Sequence, residues 1–185
     1  LALKAVVTLC STDDRYSDDI HYKGGCLLNE NLGWSATMFA YSSRPPDPAL
    51  VGEAWRDLWL QRLENEPLLA IPWLEHPHRD AYWKHGSVCE DIGAIQAAVL
   101  AVGGWNDAYT NAVPRLVGSL KAQARGIIGP WAHKYPHFAV PEPRIGFLQE
   151  MLRWWDQWLK DIDTGVKSDP AYRTYIMEPG KPGAS

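Results

Sequence analysis

Two polar side chains in the second half of the sequence each follow an apolar run that ends in glycine. Asp107 follows the run 94–102, and His133 follows the run 124–128. If these runs are neighbouring strands of a parallel sheet, their carboxyl ends meet at one edge and bring the two side chains together. A carboxylate beside an imidazole fixes its tautomer and stabilises its protonated form, as in the acid–base pair of a hydrolytic triad. The residues alone leave open a second interpretation, in which Asp107 is a cap and His133 a surface histidine.

The elements that must position these residues alternate between strands and helices. Strands are predicted over 5–10, 94–102 and 124–128, and helices over 111–121 and 144–160. Strands that alternate with helices through short loops are typical of a parallel sheet in an α/β fold. The last helix is amphipathic, and we expect it to pack on the sheet through Leu148, Met151, Leu152, Trp155, Trp158 and Leu159. Its opposite face is expected to be solvated and holds Gln149, Glu150, Arg153, Asp156, Gln157 and Lys160.

Residues 16–91 form a helical and irregular segment in which no strand is predicted. One helix is expected over 29–41. A second helix begins at Asp47, a good N-cap residue, with Pro48 in the first helical position, and it ends before Pro67. The pattern indicates a mostly helical region between the first strand and the later strands of the sheet.

Two strings of residues carry a resemblance to a known family. They are Val102–Tyr109, which reads VGGWNDAY, and Ile128–His133, which reads IGPWAH. These strings resemble the acid and histidine motifs of the cocaine-esterase and X-prolyl dipeptidyl-peptidase family, which also includes α-amino-acid ester hydrolases and some β-lactam acylases. The resemblance covers nearly the whole chain, with further matches at Leu32–Ser35, His76–Pro77, Asp80, Trp83 and Trp155–Lys160.

The resemblance implies an α/β-hydrolase sheet with an inserted helical cap and a jelly-roll-like β domain after it. It implies that Asp107 is the acid and His133 the base of the triad, and that Tyr109 and Trp34 contact the substrate. The chain order agrees, because α/β-hydrolases carry the serine first, then the acid, then the histidine. We therefore expect a serine hydrolase that acts on a small-molecule ester, an amide or a short peptide, with no metal and no organic cofactor.

The family fold divides the chain into four segments. Residues 1–14 would be a strand of the hydrolase sheet, 15–92 the helical cap, and 93–166 the core that carries the acid and the histidine. Residues 167–185 would be a linker with the first strand of the C-terminal β domain, at Tyr172–Met177. No G-x-S-x-G elbow occurs in the 185 residues, and the chain opens on Leu rather than Met. We expect a fragment whose nucleophilic serine lies upstream and which is inactive alone.

The composition of the chain disfavours some classes of partner and indicates a cellular location. A net charge of −4 and a pI near 5.8 disfavour nucleic acid, because phosphate binding requires a basic surface. No apolar run approaches the roughly 18 residues that span a bilayer, so no membrane partner is expected. Three cysteines without a C-x-x-C spacing favour a reducing compartment, and the predicted location is cytoplasmic, with a signal peptide left open because no N-terminal methionine is seen. A homodimer is compatible with these features.

Two other classes of function remain open from the residues alone. His76, His78 and Asp80 match the H-x-H-x-D core of a metal-dependent hydrolase, which would activate a water molecule, although Ala81 stands where a further histidine is expected. The ten tryptophans are also compatible with a non-catalytic binding module that uses an aromatic surface.

Three further side chains are of types that can act in catalysis. Cys10 lies near a strand end and would need a base beside it to act as a nucleophile. Because no elbow surrounds it, we expect Cys10 to be a small residue of the core. His21 and His137 are interpreted as ordinary loop histidines.

Overall fold

The computed structural model describes residues 2–178, so the last seven residues of the segment predicted at 167–185 lie outside the described residues. The chain forms two compact units, Leu1–Asp14 with Ser87–Ser185, and Arg15–Gly86. Strand β1 (Ala5–Leu9) begins the first unit, and the chain then builds the second unit before it returns to the first. The four-segment division stays a prediction.

The second unit opens with a short hairpin of β2 (Tyr22–Lys23) and β3 (Cys26–Leu27). Gly24 and Gly25 between these strands have φ values of 58° and 82°, the left-handed backbone that a two-residue hairpin turn needs. We expected no strand in this region. That prediction was wrong because the Gly–Gly pair supplies a turn that residues with side chains rarely adopt.

The rest of the second unit is helical and consists of α1 (Glu30–Ser42), α2 (Pro48–Val51), α3 (Trp55–Asn65), α4 (Ala70–Glu75) and α5 (Ala81–His85). Asp47 caps α2 as predicted, since its carboxylate accepts the N–H of Ala49 at 2.8 Å. A turn of 3₁₀-helix, Gly52–Ala54, separates α2 from α3, where the sequence pattern predicted one continuous helix.

The core of the second unit forms around Trp73, Trp83 and Tyr22. His21 lies inside this core with no exposed surface, and the ring centroids of both tryptophans are 4.5 Å from its own. Its Nδ1 lies 2.7 Å from Oδ1 of Asn31. The interpretation of His21 as an ordinary loop histidine was wrong, because tryptophans from much later in the sequence bury it.

After Ser87 the chain completes a parallel sheet in the first unit. Its further strands are β4 (Ala98–Gly104), β5 (Ala124–Gly129) and β6 (Tyr172–Thr174), and the strand order is β1-β4-β5-β6. Every residue of β4 is buried, as expected for a central strand of a sheet covered on both faces. The α/β class with a parallel sheet, predicted from the alternation of strands and helices, is confirmed.

The register of the sheet brings three strand ends to one edge. Leu9 at the end of β1 is aligned with Val102, and Gly104 at the end of β4 is aligned with Gly129 at the end of β5. Because all three strands run in the same direction, the residues that follow them leave the sheet on the same side. This edge carries the candidate site.

Helices α6 (Ala112–Ser119) and α7 (Phe147–Leu159) cover opposite faces of the sheet. Successive residues of β4 alternate between the two cores, so α6 packs with Val99, Ala101 and Ile128, and α7 packs with Ala98, Leu100, Val102 and Ile127. Within residues 2–178, no helix has the length and apolar content needed to cross a bilayer.

The buried face of α7 differs from the predicted one. Phe147 and Trp154 are each only 1% exposed, and Met151 and Trp158 pack beside them. Phe147 and Trp154 were not part of the predicted face, and they are buried because their large rings remove much apolar area from water. The prediction was therefore wrong for Leu148, Leu152 and Leu159, which are more than half exposed, and for Gln157, which is buried.

Strand β6 joins the edge of the same sheet, parallel to β5. We expected a longer strand at Tyr172–Met177 that begins a separate β domain. The structure ends the strand at Thr174. Arg173 links the strand to α7, because its guanidinium donates to the Glu150 carboxylate at 2.9 and 3.0 Å. The C-terminal β domain itself stays a prediction.

Candidate active site

Asp107 and His133, which lie far apart in the sequence, meet at the carboxyl edge of the sheet. Asp107 follows β4, His133 follows β5, and Oδ2 of Asp107 lies 3.1 Å from Nδ1 of His133. The Asp107 side chain has no exposed surface, whereas 65% of the His133 side chain is exposed. A buried carboxylate thus contacts one ring nitrogen, and the rest of the imidazole faces solvent.

The loops that carry these two residues are joined by backbone hydrogen bonds. The N–H of Trp105 donates to the carbonyl of Gly129 at 2.9 Å, and the N–H of Asn106 donates to the carbonyl of Trp131 at 3.0 Å. The Asn106 side-chain amide also donates to the carbonyl of Pro130 at 2.6 Å. The hydrogen bonds therefore continue the pairing of β4 and β5 into the loops and fix the separation of Asp107 from His133.

Two glycines allow the loops to approach this closely. A Cβ atom on Gly104 would lie 1.9 Å from the backbone oxygen of Trp131, and a Cβ atom on Gly129 would lie 2.3 Å from the Trp131 ring. Either separation is far below van der Waals contact. The glycines that end both strands, visible in the sequence as strand terminators, are therefore required by the packing of Trp131 between the loops.

The Asp107 carboxylate is oriented by its own loop as well as by His133. Its Oδ1 accepts the N–H of Tyr109 at 2.8 Å, while its backbone N–H donates to the carbonyl of Gly104 at 3.0 Å. One oxygen is thus held by the loop, and the other is left for His133. This is the arrangement in which a carboxylate can fix the tautomer of an imidazole.

Cys10 is a third reactive side chain at the same edge. It directly follows β1, its N–H donates to the carbonyl of Val102 at 3.0 Å, and its φ is 49°. Its sulfur and ligand atoms of Asp107 and His133 all lie within 4.8 Å of one another. The expectation of a small core residue missed this position, because only the adjacency of β1 and β4 places Cys10 beside Asp107.

The environment of Cys10 argues against its use as a nucleophile. Burial, a hydrogen bond to Asp107 and the negative charge of that carboxylate raise the pKa of the Cys10 thiol to about 12. The thiol is therefore protonated at neutral pH, whereas a nucleophilic cysteine needs its thiolate. Its hydrogen bond is made to the acid of the pair rather than to the outward part of the imidazole.

A cavity of about 300 Å³ lies next to His133. It is lined by Leu9, Cys10, His133, Lys134, Tyr135 and Phe138. Tyr109 approaches the imidazole from its own loop, with a distance of 5.7 Å between the ring centroids. The exposed imidazole is thus bordered by aromatic and apolar surface of a size suited to a small organic group.

The tryptophans of the two strings that carry Asp107 and His133 each donate a hydrogen bond to a backbone carbonyl. Trp131 is 2% exposed and its Nε1 donates to the carbonyl of Pro143 at 2.8 Å, so it packs beneath its loop. Trp105 is 39% exposed, and its Nε1 donates to the carbonyl of Tyr175 at 2.7 Å. Trp34 lies on α1 of the second unit with half of its surface exposed, and its part in substrate binding stays a prediction.

The structure gives the H-x-H-x-D string a role in local structure. Oδ2 of Asp80 lies 2.6 Å from Nδ1 of His76, and its Oδ1 accepts the N–H of Tyr82, which caps α5. The His76 ring stacks on Tyr82 with 4.3 Å between centroids. Within residues 2–178, His78 does not join these two residues in a group of three converging ligands. The hypothesis of a metal-dependent hydrolase that uses His76, His78 and Asp80 is therefore not supported.

Comparison with known proteins identifies the class and then the family. A crystal structure of a CocE/NonD family hydrolase from Staphylococcus aureus has the same fold, with a TM-score of 0.65 at 17% identity over 93% of this chain. Cocaine esterase from Rhodococcus sp. (strain MB1 Bresler) is 29% identical over 154 residues, which cover 71% of this chain. The family model of X-Pro dipeptidyl-peptidase (S15 family) matches residues 1–135, and the chain belongs to this family. It spans 27% of the length of each of the two relatives.

Proposed function

We propose that this chain supplies the acid and the general base of a serine hydrolase that cleaves ester or amide bonds. Asp107 is the acid and His133 the base. The observation that carries the proposal is the 3.1 Å contact between a fully buried carboxylate and a largely exposed imidazole at the carboxyl edge of a parallel sheet. Membership of a hydrolase family supports the same chemistry.

The proposed reaction is acyl transfer through a covalent acyl-enzyme. A serine hydroxyl attacks the carbonyl carbon of the substrate, and Nε2 of His133 takes the hydroxyl proton. The same proton then passes to the leaving alcohol or amine, and a water molecule releases the acyl group by the reverse sequence. Asp107 holds Nδ1 of His133 and stabilises the imidazolium that forms. None of these steps requires a metal or an organic cofactor.

The serine of this proposal lies outside the 185 residues, in a G-x-S-x-G elbow of a longer protein. Two facts support this part of the proposal: no such motif occurs in the sequence, and the chain spans 27% of the relatives that it matches. The chain alone is then inactive. In the same proposal, residues 15–92 are the helical cap of the hydrolase and residues 93–166 the part of its core that carries the acid and the histidine.

The proposed substrate is a small ester, an amide or a short peptide. The cavity beside His133 has aromatic side chains, Tyr135 and Phe138, that would contact an apolar group of such a substrate. Tyr109 would contact the substrate from the loop of the acid, and Trp34 from the cap. The family name refers to a peptidase and one relative is named an esterase. Both a peptide-like amide substrate and an ester substrate are therefore tested. A homodimer and a cytoplasmic location stay predictions.

The test uses the protein that carries this chain with its flanking sequence. Initial rates are measured with a nitrophenyl ester and with an X-Pro nitroanilide. His133→Ala should leave no more than the roughly 10³ to 10⁴-fold acceleration over water that remains when a triad member is lost. His137→Ala is the matched control, since His137 is also exposed in the same loop, and it should keep the full rate. A His133→Ala variant with an unchanged kcat would disprove the proposal.

A further inference from the structure

Three neighbouring strands each deliver one metal-ligating side chain to the same point. Cys10 follows β1, Asp107 follows β4 and His133 follows β5, and one ligand atom from each lies within 4.8 Å of the others. Among residues 2–178, three or more such side chains converge at this point and at no other. The hydrolytic steps above use Asp107 and His133 and leave Cys10 without a role.

The donor set fits one class of ion. A thiolate, an imidazole and a carboxylate are the ligands that Zn²⁺ takes in proteins, with bonds of about 2.0–2.3 Å. Ligand atoms around one tetrahedral ion are then roughly 3–4 Å apart. The 3.1 Å separation of Asp107 from His133 already has this value, and the limit of 4.8 Å for the group leaves only a side-chain adjustment for Cys10.

Charge and access also suit a divalent cation. The carboxylate of Asp107 is fully buried, and a deprotonated Cys10 beside it would add a second negative charge that a divalent ion neutralises. The exposed side of His133 gives the ion a route from solvent and leaves the fourth coordination position for a water molecule. On binding, the Cys10 thiol releases its proton to solvent, since the thiolate is the ligand form.

We propose that Cys10, Asp107 and His133 form a binding site for a thiophilic divalent cation of the zinc class. The ion occupies the acid and the base that hydrolysis needs, so binding and catalysis exclude each other. This second statement rests on the proposed function, whereas the binding of the ion does not.

The chain contains its own controls for the thiol. Cys26 and Cys89 are both exposed, and neither belongs to the converging group. A bound ion that follows Cys10 alone is therefore distinguished from adventitious capture by surface thiols. His137 serves in the same way for the imidazole.

The experiment measures the binding of Zn²⁺ by equilibrium dialysis, and of Cd²⁺ by the ultraviolet absorption of the cadmium–thiolate bond, on the 185-residue chain. The expected result is one ion per chain, with an affinity that falls at least 10 to 100-fold in Cys10→Ser and in His133→Ala, since even the loss of an outer-shell partner has this effect. Cys26→Ser, Cys89→Ser and His137→Ala should bind as the unaltered chain does. Near-ultraviolet circular dichroism from the ten tryptophans confirms that each variant is folded.

Absence of binding by the unaltered chain, or equal affinity in folded Cys10→Ser and His133→Ala, overturns the proposal. His133→Ala keeps the test decisive if Cys10→Ser does not fold, because its side chain is mostly exposed. Dialysis needs no substrate and no serine, so its result is independent of the proposed hydrolysis. In the longer protein, Zn²⁺ should inhibit ester hydrolysis. The inhibition constant of each variant is obtained after its rates are divided by its own rate without metal. This constant should rise in Cys10→Ser by a factor similar to the loss of affinity in dialysis.

Discussion

The carboxylate of Asp107 contacts the imidazole of His133 at 3.1 Å although 26 positions separate them in the sequence. The contact depends on the close approach of two loops, which hydrogen bonds from Trp105 and Asn106 hold together. The geometry of the pair is thus a property of the sheet edge rather than of either loop alone. It can be altered without touching the pair, by changes to the residues that let the loops meet.

Gly104→Ala should separate the two loops. The new Cβ would lie 1.9 Å from the carbonyl oxygen of Trp131, so the backbone must move and the free energy of unfolding should fall by about 1–3 kcal/mol or more. Gly118→Ala is the control, because nothing lies within 4 Å of its Cβ position in α6, and alanine in a helix should raise stability by roughly 0.5–1 kcal/mol. Urea titration of both variants checks the prediction, and equal stabilities would contradict the packing described here.

Asp107→Asn should preserve the fold and disable the base. An amide in this buried position no longer holds the imidazole in the required tautomer, and loss of the orienting carboxylate lowers kcat by about 10⁴-fold in a triad. Ester hydrolysis by the longer protein measures the effect. Asp161→Asn is the control, since Asp161 is exposed and has a left-handed backbone that asparagine tolerates. A mild loss in Asp107→Asn, similar to that of the control, would mean that another residue is the acid.

Cys10 should resist alkylation at neutral pH. The pKa of its thiol is raised to about 12 by burial and by Asp107, so almost none of it is thiolate near pH 7. Iodoacetamide treatment followed by peptide mass spectrometry should modify Cys26 and Cys89, which are exposed, and spare Cys10. If Cys10 were modified as fast as the other two, its thiol would be ionised and the possibility of a nucleophilic role would return.

The second unit should lose stability in mild acid because of His21. Burial lowers the pKa of this side chain below its ordinary value of 6.5, so the unfolded chain binds a proton more readily than the folded one. The contribution is fully present above pH 6.5 and declines as the pH falls below it. Urea titrations followed by tryptophan fluorescence, to which Trp73 and Trp83 beside His21 contribute, should give a lower midpoint at pH 5 than at pH 8.

A His21→Gln variant supplies the control for this pH dependence. Its side chain cannot titrate, so the part of the change that arises from His21 should disappear even if the variant is less stable at every pH. The same decline in His21→Gln as in the unaltered chain would assign the effect to other groups.

The sequence predicted those features whose signals are local. Asp107, His133 and their strands lie in short strings, and the glycines that end the strands mark the places where the loops approach each other. A parallel sheet follows from the alternation of elements, and adjacency of two loops follows from adjacency of their strands. The proximity of Asp107 and His133 could therefore be predicted from the sequence.

Features that depend on long-range packing could not be predicted in the same way. Cys10 lies at the site only because β1 is next to β4 in the sheet. The order of the strands cannot be predicted from a local sequence pattern. His21 is buried by Trp73 and Trp83, which come from helices later in the chain. The H-x-H-x-D string carried the residue types of a metal site, but its aspartate at position 80 caps α5.

A fluorophosphonate that reacts with activated serines tests the central claim most directly. It is applied to the protein that carries this chain with its flanking sequence, and mass spectrometry locates the adduct. The account predicts one modified serine, within a G-x-S-x-G elbow outside these 185 residues, and a rate of modification that collapses in His133→Ala but not in His137→Ala. An adduct that forms equally fast in His133→Ala, or no adduct in an unaltered protein that hydrolyses esters, would contradict the assignment of Asp107 and His133 as the acid and base of a serine hydrolase.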